Sequence, residues 1–395
     1  MYRKNFLWAL LLAPIVAAVL FGAVVSAQDA VETTPPATEE VDPFEVPDGT
    51  PSELLEYVAN LLSSRPRITS YEEYVEFLGN RSEAILEATS KILASEEELT
   101  EEQLGSTIAA KLGALQVLAQ QGQEEAETAL FALPEELKAA GQDEYARLAQ
   151  AMVFQVKIGN AANGDVEEFE AVLLEAQAAI QALGADIGQA EMQVIQTATR
   201  ASEAIANRLE DPSIAVDVYT GAAELLKGTG IEELAAQADQ LLGAARRLGL
   251  PGSKMEFVGY TLDDEAVDIA DLEGQVVLVD FWATWCGPCI GEIPNMTKMY
   301  EAYHEDGFEI VGVSVDRDLE ALASFIEERE TPWIILADNQ PEKEDYESIA
   351  RNYGVTGIPT MILIGKDGKV ISTSARGAAL EEALAEIFGP IEEEE

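Results

Sequence analysis

Cys286 and Cys289 are the only cysteines in the 395 residues, and they stand three positions apart as C-G-P-C. That spacing lets two sulfurs close a short, reversible disulfide, which is what dithiol–disulfide exchange requires. Three other chemistries use cysteine pairs. A zinc site usually takes four Cys or His ligands, and the chain offers two Cys and one His, His304. Haem attachment needs C-x-x-C-H, whereas Ile290 follows Cys289. A structural staple over so short a loop adds little entropic stability. A redox dithiol is the reading that remains, and it implies no metal and no cofactor.

The elements that must position the pair lie in segment 276–294, V-V-L-V-D-F-W-A-T-W-C-G-P-C-I-G-E-I-P. Val276, Val277, Leu278, Val279, Phe281 and Trp282 form an apolar run suited to a buried strand. Residues 283–285 turn the chain, and both cysteines fall at the start of a predicted helix. A helix N-terminus presents unpaired N–H groups and the positive end of the dipole, which favour thiolate over thiol. Asp280 interrupts the apolar run. A carboxylate buried there is costly unless it is protonated or hydrogen-bonded. It either faces a polar gap or handles protons.

The stretch V-D-F-W-A-T-W-C-G-P-C resembles the active site of thioredoxin. Its extension C-I-G-E-I-P resembles the TlpA/ResA-like branch of extracytoplasmic thioredoxin-fold reductases. Three later stretches agree: F-E-I-V-G-V-S-V-D at 308–316 as a second buried strand, Y-G-V-T-G-I-P-T at 353–360 as a cis-proline loop, and M-I-L-I-G-K-D-G at 361–368 as a strand and hairpin turn. The resemblance covers residues 252–390 and implies an α/β thioredoxin fold that exchanges disulfides. It implies that Cys286 attacks and Cys289 resolves, and that Gly287 and Pro288 set a reducing poise like thioredoxin's, about −270 mV. It implies that Asp280 moves protons for the inner cysteine, although many members of the branch carry Asn or another residue there. Glu292 matches a glutamate that tunes cysteine acidity; otherwise it is an ordinary exposed helix residue. The Ile358–Pro359 bond is expected to be cis, its neighbours presenting a backbone edge to the substrate peptide. Trp285, with Gly287 and Pro288, is expected to flank the groove, its plainer role being hydrophobic cover.

Around this motif the pattern predicts a hairpin at 257–262 and 266–269, and an active-site helix running to about His304, which reads as a solvated surface residue. A helix at 319–329 and a strand at 333–337 resemble a segment that the branch inserts into the fold. A helix at 342–353, an edge strand at 370–373 and a last helix at 378–388 follow, before an acidic tail at 391–395.

The rest of the chain differs in kind. Residues 1–27 read as a secretory signal: Arg3 and Lys4, an uncharged run from Phe6 to Val25, and a small-residue site at Val25-Ser26-Ala27. The run 6–25 is also long enough to stay as a membrane anchor. No cysteine lies near it to carry a lipid. Either way the remainder is expected to be exported to the periplasm or another extracytoplasmic space. Residues 28–50, with Pro35, Pro36, Pro43 and Pro47 among acidic residues, read as a disordered linker. Residues 51–250 are rich in Ala, Leu, Glu and Gln and carry helical apolar spacing: Tyr71, Leu78, Ile85, Ile92; Leu104, Ile108, Leu112, Leu115; Tyr145, Leu148, Met152, Val156; Phe169, Leu173, Ala176, Ile180; Leu234, Leu241, Ala245, Leu248. Breaks are expected at Pro66, Pro134, Asn163-Gly164, Asp211-Pro212 and 228–230, which gives seven or eight helices as antiparallel hairpins. No residue signature repeats at a fixed period, so a true repeat array is not supported.

The fold class expected is therefore an all-α N-terminal domain followed by an α/β thioredoxin fold. The formal net charge of −49 excludes a nucleic-acid partner, whose phosphates need Lys and Arg. The function expected is reduction of disulfides in partner proteins, fed by a membrane or periplasmic electron donor, with a further protein partner on the helical domain. An oxidase or isomerase, or an adaptor that docks through its helices, stands as the alternative.

Overall fold

A computed structural model describes residues 42–66, 68–340 and 346–391. The signal or anchor at 1–27, most of the linker and residues 392–395 lie outside the described residues. Residues 42–45 form a short turn, closed by Glu45 N donating to Asp42 O. The described residues from Val46 onward form one compact unit.

Among the described residues, nine α-helices precede the first strand: α1 (Pro51–Ser63), α2 (Tyr71–Leu93), α3 (Glu101–Gln120), α4 (Glu124–Ala139), α5 (Asp143–Ala162), α6 (Val166–Gln181), α7 (Gln189–Leu209), α8 (Ser213–Gly228) and α9 (Glu232–Leu248). Side chains cap several starts. Thr50 and Glu53 form a reciprocal capping box on α1, and Thr100 and Gln103 do so on α3. The helix α5 is the seam of the region. Met152, Val153 and Val156 pack with α3 and α4, while Phe154 and Ile158 pack with α6–α9. A helix buried on two sides must be apolar on both.

Three expectations for the helical region need correction. The helices number nine rather than seven or eight, and Pro134 breaks nothing. It lies inside α4, buried among Leu130, Leu133 and Leu137. Packing of that stripe offsets the hydrogen bond a proline forfeits. The actual breaks are Gly122 and Gly141, with φ of +81° and +73°. At each, the next residue's N–H returns to the third-last helix carbonyl: Gln123 to Leu118 O, Gln142 to Leu137 O. That left-handed cap favours glycine. Tyr71 is 80% exposed and falls off its expected stripe, while Ile85 and Ile92 are buried on it.

The remaining elements are β1 (Val258–Tyr260), β2 (Ala266–Asp268), β3 (Val276–Trp282), α10 (Gly287–Tyr303), β4 (Phe308–Ser314), α11 (Leu319–Arg329), β5 (Ile334–Ala337), α12 (Ile349–Asn352), β6 (Thr360–Ile364), β7 (Val370–Ser372) and α13 (Ala378–Phe388). β1 and β2 pair as the expected hairpin, and the others form a sheet of order β5-β4-β3-β6-β7. β3, β4 and β5 run parallel, and β6 and β7 antiparallel to their neighbours. This is the expected thioredoxin fold, with the 333–337 strand added at one edge and β7 at the other. Period-two alternation splits β3 between two cores. Val276, Leu278 and Trp282 face one that holds both cysteines and Met296; Val277, Val279 and Phe281 face the other, with Leu250, Met255 and Tyr353.

Of the helix expected at 342–353, residues 342–345 lie outside the described residues, and the described part is helical only over Ile349–Asn352. Ser348 caps α12, and the buried Asp338 at the end of β5 accepts from Ser348 Oγ, Ile349 N and Ala350 N. The carboxylate fixes the start of α12, and it also accepts from Tyr346 Oη.

The helical region meets the α/β region where α9 lies on the end of α12. A Cβ on Gly243 would stand 2.5 Å from Gly354 N, and one on Gly354 2.2 Å from Ala244 N. Only two glycines permit this backbone contact, and Gly354 also has φ +57°. Arg246 Nε donates to Asn352 O, and Arg247 Nη1 to Tyr353 O and Gly354 O.

Candidate active site

The strand β3 and the helix α10 carry the cysteine pair, joined by the turn 283–286. The buried Asp316 holds that turn, accepting from Thr284 N (2.9 Å), Thr284 Oγ1 (2.7 Å) and Ser314 Oγ (2.8 Å). Cys286 is the N-cap of α10, and its Sγ accepts from Cys289 N at 3.2 Å. Gly287 and Pro288 fill the first two helical positions, where a missing proline N–H costs nothing. The two cysteines form a disulfide with Cα atoms 5.3 Å apart. Both are shielded, Cys286 at 5% and Cys289 at 2% exposure, so the outer sulfur is only slightly the more open.

Asp280 shares the strand face of Leu278 and Trp282, the side on which the cysteines pack. It is 3% exposed, and its Oδ1 has no hydrogen-bond partner among the described residues. Burial pushes its pKa up to about 7, with the Glu292 charge adding and Arg376 opposing. A carboxyl poised near neutrality can give and take a proton at physiological pH. Glu292 lies on α10 one turn past Cys289, mostly shielded, and accepts from Arg376 Nε at 2.7 Å.

The Ile358–Pro359 bond is cis. It places Ile358 O 3.9 Å from Cys286 Sγ, so the edge of that peptide stands beside the disulfide. Trp285 is 69% exposed next to the pair, and Gly287 and Pro288 are exposed with it. Of the nine residues singled out in sequence, Trp285, Gly287 and Pro288 are exposed around the cysteine pair, and Ile358 and Pro359 stand beside Cys286. Asp280 is buried on the strand face that packs with the cysteines, and Glu292 pairs with Arg376 further along α10. His304 lies at the far end of α10, stacked on Tyr300, its Nδ1 3.0 Å from Phe308 O. Three residues of the site were not picked out: Asp316, Arg247 and Arg376. Asp316 had a usable signal, an acid closing the apolar strand after Ser314. The two arginines had none, because their partners are distant in sequence.

The family model described as Redoxin matches residues 250–385. The thiol-disulfide oxidoreductase ResA of Bacillus thuringiensis subsp. konkukian is 35% identical over 135 residues, 34% of this chain and 74% of that protein. ResA of Halalkalibacterium halodurans is 31% identical over 146 residues, 37% of this chain and 78% of that protein. Among solved structures, the thioredoxin domain of a thiol-disulfide oxidoreductase from Bacteroides vulgatus is 33% identical, with a TM-score of 0.32 over 35% of this chain and 96% of its own. Through its C-terminal third, with the cysteine pair at a helix N-terminus, the chain belongs to the ResA family of thiol-disulfide oxidoreductases.

Proposed function

We propose that the protein is an extracytoplasmic reductase of protein disulfides, working through Cys286 and Cys289. The observation that carries this reading is a cysteine pair at the α10 N-terminus with the buried Asp280, unpartnered on Oδ1 among the described residues, on the same sheet face. The Cys286 thiolate attacks one sulfur of a substrate disulfide. A mixed disulfide forms and one substrate thiolate leaves, taking a proton from solvent. Cys289 passes its proton to Asp280 and attacks Cys286 Sγ. The second substrate thiolate leaves, and the Cys286–Cys289 disulfide remains. Two electrons have moved to the substrate, and a membrane or periplasmic dithiol protein must return them. Glu292, Trp285, Gly287, Pro288, Ile358 and Pro359 tune and flank this exchange. The export reading rests on the sequence of residues 1–27; among the described residues no helix is long and apolar enough to cross a membrane. The helical region serves as a surface for a protein partner.

The test is a redox potential together with insulin reduction and trapping. A potential near that of thioredoxin and rapid insulin reduction are expected. Cys289→Ser should accumulate mixed disulfides with substrate, and Cys286→Ser should not. A potential near about −120 mV with no insulin reduction would make the protein an oxidant instead.

A further inference from the structure

Beside the cis-proline lies a cleft of about 380 Å³, lined among others by Arg247, Thr356, Pro359, Thr360, Ser374 and Arg376. Its volume falls within the ~300–1,000 Å³ of ordinary binding sites. We infer that Arg247 and Arg376 form a carboxylate-binding subsite there, which takes an acidic side chain flanking the target cysteine of the substrate protein. The inference rests on the reading of Cys286 as the attacking sulfur.

The geometry places the cleft where such a side chain falls. Pro359 lines it, and the preceding carbonyl, Ile358 O, lies 3.9 Å from Cys286 Sγ. A peptide joined to Cys286 advances about 3.3–3.6 Å per extended residue. A residue one or two positions from the target cysteine therefore lies over the cleft. Guanidinium groups match carboxylates through paired N–H donors. Arg376 binds Glu292 through Nε. Arg247 bonds the loop carbonyls of Tyr353 and Gly354 through Nη1. It pairs with no carboxylate among the described residues, in a chain with 73 acidic residues against 24 Lys and Arg. An arginine held by loop carbonyls in the cleft that Pro359 lines has donors left to offer an incoming anion.

The helical region builds half of this subsite. Arg247 sits in the last turn of α9, ahead of the Redoxin match that begins at residue 250. The Gly243–Gly354 backbone contact brings that turn onto the cis-proline loop. Substrate choice would thus come from the part of the chain outside the matched family region. The plainer role for Arg247 is to clamp the loop, and the experiment separates the two.

Reduction of disulfide peptides bearing Asp, Asn or Lys beside the target cysteine is measured as kcat/KM, with the full chain and dithiothreitol as electron source. The wild type should prefer Asp over Asn by about tenfold, the worth of one charge-assisted contact. Arg247→Gln should cut the Asp/Asn ratio to about twofold or less, and Arg247→Lys should keep part of it. In the unaltered protein the ratio should fall as salt rises, because screening weakens exposed charge pairs. That arm needs no variant to fold. Equal rates for the three wild-type peptides would remove the subsite and leave the oxidoreductase reading intact. An Arg247→Gln protein that slows all peptides alike, ratio unchanged, would reduce Arg247 to a loop clamp. Failure of every peptide, with insulin also untouched, would sink the attacking role of Cys286 and the subsite with it.

Discussion

The helical region and the sheet each bury a carboxylate, and they treat it in opposite ways. Glu191, on α7, is 3% exposed and accepts from Arg147 Nε (2.6 Å), Arg147 Nη2 (2.7 Å) and Gly188 N (2.8 Å). Burial pushes its pKa up, but these donors outweigh burial and hold it below the usual range. Asp280, on β3, is equally buried, has no partner on Oδ1, and sits at about 7. Glu191 fastens α7 to α5. Asp280 keeps an unpartnered Oδ1 among the described residues, in a strand each of whose residues is buried. A strand clasped between β4 and β6 tolerates that cost, and on the proposed reading the carboxyl serves as proton acceptor for Cys289. An unsatisfied buried polar group in a well-packed place points to chemistry, and a satisfied one to architecture.

The contrast predicts stability changes of opposite sign, the larger at Asp280. Its folded pKa of about 7 lies above the unfolded carboxylate value of about 3.9. Between these, the folded state holds a proton that the unfolded chain has lost, so stability falls as pH rises and the loss is complete above about pH 7. Asp280→Asn removes that dependence. The stability difference between variant and wild type, from denaturant unfolding, should move in the variant's favour by on the order of 4 kcal/mol between pH 4 and pH 8. A constant difference across that range would mean that Asp280 is solvated. Glu191→Gln should act the other way. It removes the anion from Arg147, which keeps Asp186 O and partial access to solvent, and should cost on the order of 1–3 kcal/mol at neutral pH. Because the Glu191 pKa is lowered, its contribution is present above the unfolded carboxylate pKa and fades as pH falls below it. A neutral effect at pH 7 would erase the distinction between the two acids.

The same two regions differ in what their sequence discloses. Strand β3, the turn and the start of α10 are contiguous, so the apolar run, Asp280 and the cysteine spacing are all readable along one segment. The cis-proline loop is readable because G-I-P-T belongs to a known motif. In the helical region the order of helices is legible, but Ala-rich faces give little contrast between core and surface. Pro134 outweighed the glycines as a break signal, although Gly122 and Gly141 end the helices. The partners Arg147–Glu191, Arg247–Gly354 and Arg376–Glu292 are 44, 107 and 84 positions apart. Nothing local encodes such pairs; they exist only once the elements have docked.

The docking itself can be broken at one atom. Alanine normally favours a helix interior over glycine by about 1 kcal/mol. Gly243→Ala should nonetheless destabilise by about 1–3 kcal/mol, since its Cβ would meet Gly354 N at 2.5 Å and Arg351 O at 2.8 Å. We propose that residues 51–250 fold without 252–390. The variant should then melt in two steps, with helical signal persisting apart from the loss of the sheet. A gain in stability would show that α9 and α12 do not touch so closely.

The smallest effect expected concerns Glu292, the acid that lies between these extremes: shielded, yet bonded to the exposed Arg376. An anion near a thiol disfavours the thiolate, and a cation favours it. In the wild type the two opposite charges are paired with each other. Glu292→Gln removes the anion and leaves Arg376, so the attacking thiol should ionise at lower pH. Arg376→Gln leaves the anion alone and should move ionisation upward. Each displacement should stay below about one pH unit, because both groups reach solvent and are screened. Asp280 and the two thiols titrate within the same cluster, so the midpoints belong to the group as a whole. Iodoacetamide alkylation rate against pH, on the reduced protein, reads the midpoint for wild type and both variants. Displacements of opposite sign would place Glu292 and Arg376 as a matched pair acting on the dithiol. Superimposed curves would make their ion pair a surface contact, on the side of Glu191 rather than Asp280.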